Sequence, residues 1–138
     1  MIDVSTVVVG QYAEMQETVT PEAVAAFAQL SHDNNPLHMD AAYAARTRFG
    51  RRIVHGALVS SYISALMATE LPGPGSIYLV QHTEFLRPVF LNETVIVRVT
   101  VREVKPNGRV TLDQVLRVGD RPVVTGYAIV LIDKVANE

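Results

Sequence analysis

The feature that most restricts how this 138-residue chain can fold is its longest uncharged run, Ile53 to Thr69. The run holds no Asp, Glu, Lys or Arg, yet it is shorter than the roughly 20 apolar residues that a membrane span needs. It also carries His55, Ser60, Ser61, Tyr62 and Ser64. A helix that is apolar on most sides has to be enclosed by other elements. The run therefore predicts a long buried helix from Ile53 to about Glu70, stopped by Leu71-Pro72-Gly73-Pro74-Gly75.

The second half of the chain supplies the enclosure. Ile77 to Leu86 is apolar and aromatic and closes at Arg87-Pro88. Thr94 to Val104 alternates, with Val95, Val97, Val99 and Val101 on one face and Thr94, Arg98, Thr100 and Arg102 on the other. Pro106-Asn107-Gly108 is a hairpin signal, Val110 to Val118 alternates again, and Gly119-Asp120 turns the chain into Val123 to Ile132. Before the long helix, Val7 to Met15 reads as an edge strand or lead-in. Thr20-Pro21-Glu22 starts a helix that continues through Val24, Phe27, Ala28 and Leu30. Asn35-Pro36 disfavours its continuation, and Ala41 to Arg46 is a second short helix. The pattern predicts an α+β fold, a meandering antiparallel sheet packed around one long helix. No repeat or linker divides the chain, so residues 1–138 are expected to form a single domain.

Composition narrows the function classes. Hydrophobic residues make up 49% and charged residues 19%, enough to fill a core. A net charge of −2 argues against a nucleic-acid partner. With no cysteine there is no disulfide, thiolate nucleophile or cysteine metal site, which suits a reducing cytoplasm. Met1-Ile2-Asp3-Val4 lacks the basic start of a signal peptide.

The chemistry-bearing segment is Ser31-His32-Asp33-Asn34-Asn35-Pro36-Leu37-His38. Asp33 and His38 can hold one water and shuttle its protons, while Pro36 and the flanking asparagines fix the turn between them. Ordinary turn chemistry explains the same residues, since Asp and Asn cap their own backbone in loops. Gly56 falls in the first turn of the long helix, where free N–H groups and the helix dipole can hold an oxyanion. Tight packing at Gly56 beside a satisfied polar His55 is the alternative. Ser64 either supports a catalytic group or bonds back to its own helix. The four histidines show no metal-binding spacing. Arg46, Arg48, Arg51 and Arg52 form a basic loop that is either solvated or directed at phosphates.

Taken together, these motifs are more specific than any one of them. The octapeptide, followed by Asp40, Tyr43-Ala44, Phe49-Gly50, Ile53-Val54-His55-Gly56, Gly75-Ser76-Ile77-Tyr78-Leu79 and Phe85-Leu86-Arg87-Pro88-Val89-Phe90, resembles the MaoC-like hydratases. These are the (R)-specific enoyl-CoA hydratases, or hydratase 2, of the hot-dog fold. The resemblance implies a long buried helix wrapped by a curved antiparallel sheet, and a homodimer whose sheets join edge to edge. It places the catalytic pair on Asp33 and His38, the oxyanion N–H on Gly56, and supporting or substrate-lining roles on Ser64, His55 and Asn35. It departs at His32, where an acidic residue or glycine often precedes the aspartate, which bears on the pH optimum. The implied reaction is reversible syn hydration of trans-2-enoyl-CoA to (R)-3-hydroxyacyl-CoA. No metal or cofactor is implied, because coenzyme A belongs to the substrate; nor is a membrane or nucleic-acid partner. Alternatives are a dehydratase acting on acyl-carrier-protein or branched or carboxylated acyl-CoA thioesters, a hot-dog thioesterase, and a non-enzymatic acyl-CoA-binding subunit. Tyr62, Leu66 and Met67 are candidates to end the acyl tunnel.

Overall fold

A computed structural model describes residues 6–132. The reading of Met1 to Val4 lies outside those residues. In chain order the elements are β1 (Tyr12–Thr18), α1 (Pro21–Ser31), α2 (Pro36–Met39), α3 (Ala41–Ala45), α4 (Gly56–Thr69), β2 (Ser76–Phe85), β3 (Thr94–Val104), β4 (Arg109–Val118) and β5 (Arg121–Ile132).

The long helix forms where the uncharged run predicts it, but three residues later. Val54 donates its N–H to Val89 O at 2.7 Å, and Ile53 forms an isolated bridge with Phe90. Those pairings keep Ile53 to His55 extended, so α4 begins only at Gly56. Leu58, Val59, Ile63, Leu66 and Met67 of α4 are buried. Burial of each such side chain contributes about 1.5–3 kcal/mol.

The sheet that covers α4 has the order β1-β3-β4-β5-β2, with every pairing antiparallel. Only β3-β4-β5 is the meander expected from the turn signals. Strand β2 departs from it: it precedes β3 in sequence but pairs with β5 at the far edge. Short-range turn chemistry cannot reveal that crossover, because it is set by which edge is left open after the helix. The alternation in β3 is realised in full. Val95, Val97, Val99 and Val101 are buried, as are Val110, Leu112 and Leu116 on β4. Strand β1 closes the other edge against β3, where Glu14 pairs in register with Arg98 and their side chains meet at 3.1 Å. Among the described residues, no helix is long and apolar enough to cross a membrane.

Candidate active site

The segment between α1 and α2 is built from its own side chains. Ser31 Oγ donates to Phe27 O at 2.7 Å, and His32 ends the helix at φ 65°, exposed. One oxygen of the Asp33 carboxylate accepts from Asn35 N at 3.2 Å; Asn35 Oδ1 in turn accepts from Leu37 N at 3.0 Å and caps α2. Pro36 occupies the first turn of α2, where a missing N–H costs nothing. These bonds are the turn capping that Asp and Asn provide in loops. The caps are what aim Asp33 and His38.

His38 is buried on α2. Its Nδ1 lies 2.8 Å from Ile53 O. A carbonyl oxygen only accepts, so Nδ1 carries the hydrogen and Nε2 holds a lone pair. Burial pushes the His38 pKa below 6.5; the Ile53 hydrogen bond opposes this, His55 lowers it further, Asp33 opposes, and Arg52 lowers it. The net effect favours the basic imidazole at neutral pH. Arg52 also donates Nε–H to His38 O at 2.6 Å, tying the basic loop to α2.

Gly56 opens α4, so its N–H has no acceptor within the helix. A Cβ at this position would lie 2.9 Å from the Phe85 ring. The glycine thus lets Phe85 pack against the helix start and leaves the N–H open to a carbonyl oxygen. His38 and Gly56 share a cavity of about 310 Å³. Its walls are largely apolar, including Ile53, Val59, Phe85 and Val124, with Arg48 and Arg87 among the lining residues.

One donor atom each from Asp33, His38 and His55 fall within 4.8 Å of one another. This set did not show in the histidine spacing, because it joins α2, the loop before it and the N-cap of α4. The His38 and His55 rings pack against each other in a tilted arrangement, with centroids 4.1 Å apart and planes at 34°.

The other expected residues fall elsewhere. The Asn35 side chain is used in capping, and none of Asp33, Asn35 and His55 lines the cavity. Ser64 lines a second cavity of about 390 Å³, with Ser60, Ser61 and Tyr78 to Gln81. Burial raises the Tyr78 pKa above 10, with a hydrogen bond from Ser64 acting the other way. Leu66 and Met67 lie in the core and Tyr62 packs against it. His82 is exposed and stacks on Tyr127. Sequence reasoning gave no role to Phe85 and Arg87 or to the reciprocal Gln81–Gln114 amide pair, at 2.7 and 3.1 Å. Phe85-Leu86-Arg87-Pro88 was visible as a motif; the Gln pair left no local signal.

A five-stranded antiparallel sheet around one buried helix, with His38 and the first residue of that helix on one cavity and Asp33 close to His38, defines an acid–base enzyme of the hot-dog fold. The chain belongs to the MaoC-like family: residues 6–119 match the MaoC like domain. It is 46% identical to the (R)-specific enoyl-CoA hydratase of Aeromonas caviae over 88% of this chain and 92% of that protein. It is 39% identical to the 3-hydroxybutyryl-CoA dehydratase of Methylorubrum extorquens over 91% of this chain and 81% of the relative. The solved (R)-hydratase of A. caviae involved in PHA biosynthesis superposes with a TM-score of 0.90 at 42% identity, covering 93% of this chain and 98% of the other.

Proposed function

We propose that the protein is an (R)-specific enoyl-CoA hydratase, a hydro-lyase that reversibly hydrates trans-2-enoyl-CoA. The observation that carries this reading is the cavity shared by the basic His38 and the Gly56 N–H. Asp33 and His38 hold one water between them. His38 Nε2 takes a proton as the water oxygen bonds to C3, and a proton returns to C2 on the same face. The net addition is H and OH from one water. The Gly56 N–H stabilises the thioester oxygen as its negative charge grows in the transition state. The protein then supplies only side chains and a backbone donor, with no metal or cofactor of its own.

Coenzyme A is the carrier this reading favours over an acyl-carrier protein. Arg46, Arg48 and Arg51 lie over the rings of Tyr43, Phe49 and Phe90, and none is paired with a carboxylate among the described residues. Arg48 also lines the cavity, where a guanidinium group suits nucleotide phosphates. A cytoplasmic site of action fits a coenzyme A thioester and a chain without cysteine. The enzyme acts as a homodimer joined along β2, whose Ile77, Tyr78, Leu79 and Val80 are 40–46% exposed. An apolar edge strand of this kind is normally covered.

The test is hydration of crotonyl-CoA with the product's stereochemistry resolved. The (R) alcohol is expected, and an (S) product overturns the reading. Comparing crotonyl-CoA with its acyl-carrier-protein thioester assigns the carrier. Release of free thiol instead of hydration would favour the thioesterase.

A further inference from the structure

His55 takes no step in the chemistry above, yet it is only 1% exposed. It is the N-cap residue of α4 but makes no capping hydrogen bond to that helix. Its side chain crosses instead to the catalytic turn, where Nε2 lies 2.9 Å from the main-chain oxygen of Asp33. That oxygen can only accept, so Nε2 carries the hydrogen. In the neutral ring Nδ1 is then a buried lone pair, and among the described residues it has no hydrogen-bond partner. The ring lies between Phe27 and His38, with centroids 4.9 and 4.1 Å away. A side chain that served only to fill this space would be better apolar, because an unpartnered buried polar atom is costly.

We propose that His55 is a positioning residue: its Nε2–H sets the Asp33 backbone and its ring face sets the His38 ring. One side chain adjoining Gly56 thereby spaces both members of the acid–base pair relative to the oxyanion donor, without touching substrate. The inference rests on the hydratase reading. Its physical basis is that small displacements of catalytic groups cost large factors in rate while leaving substrate binding intact.

The test compares His55→Leu and His55→Gln with the unaltered enzyme on crotonyl-CoA. Leucine keeps volume without a donor, and glutamine offers an amide N–H at similar reach. His55→Leu is expected to lower kcat about 100-fold with KM within about three-fold, and His55→Gln to recover at least about ten-fold of that loss. A His55→Leu enzyme within about three-fold of the unaltered kcat overturns the proposal. So does a folded His55→Gln no better than a folded His55→Leu, folding being judged by circular dichroism. ¹⁵N NMR of the unaltered protein provides an arm that needs no variant: the His55 ring is expected as the Nε2–H tautomer at pH 7, and an Nδ1–H tautomer overturns the proposal. If the hydratase reading itself is wrong, the unaltered enzyme will fail to turn over crotonyl-CoA, which is distinct from any of these outcomes.

Discussion

At the scale of single residues, the site depends on which nitrogen of each histidine is committed to the backbone. Ile53 O fixes the tautomer of His38, leaving the lone pair on Nε2, the base in the proposed mechanism. Asp33→Asn keeps the shape of the turn but removes the negative charge beside that base. It is expected to lower kcat by about 10²–10⁴-fold, the usual contribution of a positioned acid–base group, as measured with crotonyl-CoA. The pH profile has a definite sign. Burial lowers the His38 pKa, so the working neutral form persists below pH 6.5. The acid limb of kcat/KM should therefore fall at a pH under that ordinary value; an inflection above it would mean that another group controls the rate. Gly56→Ala places a methyl group 2.9 Å from the Phe85 ring and beside the oxyanion donor. Adding Phe85→Leu should restore the thermal stability lost in Gly56→Ala but not its kcat. Recovery of both would reduce Gly56 to a packing role.

The secondary elements are where local signals carry furthest. Thr20 as N-cap, with Pro21 in the first turn, is legible in the sequence, and Thr20 Oγ1 accepts from Ala23 N at 3.2 Å. The Pro36 boundary and the valine alternation of β3 are equally legible, because caps, prolines and period-2 burial are short-range properties. The start of α4 is not. It is delayed by the pairing of Val54 with Val89, a contact between segments distant in sequence. Gly126 shows the same limit. A Cβ there would lie 2.1 Å from His82 O in the paired strand β2, a clash with backbone that cannot rotate away. Gly126→Ala is therefore expected to destabilise the fold by about 1–3 kcal/mol in chemical denaturation, the usual cost of overpacking. A neutral effect would show that β2 shifts freely along β5.

Across the whole molecule, β2 links the core to the surface. One side of it pairs with β5, and its apolar residues Ile77 to Val80 remain exposed. In the homodimer proposed here, Leu79→Arg places a charge on that edge. It should convert the species seen by light scattering from dimer to monomer; an unchanged dimer would move the interface to another surface.

By itself the sequence determined the kinds of element and the enclosed helix, and it brought forward Asp33 and His38 as candidates. Each rests on spacing within a short window or on a motif that survives translation into any fold. The resemblance of the motifs extended this to the hot-dog architecture. Tertiary structure alone decided the far-edge placement of β2, the separate cavity of Ser64 and the packing of His55 against Phe27 and His38. Those features join residues from different elements, and only the packing of helices and sheet around α4 brings them together.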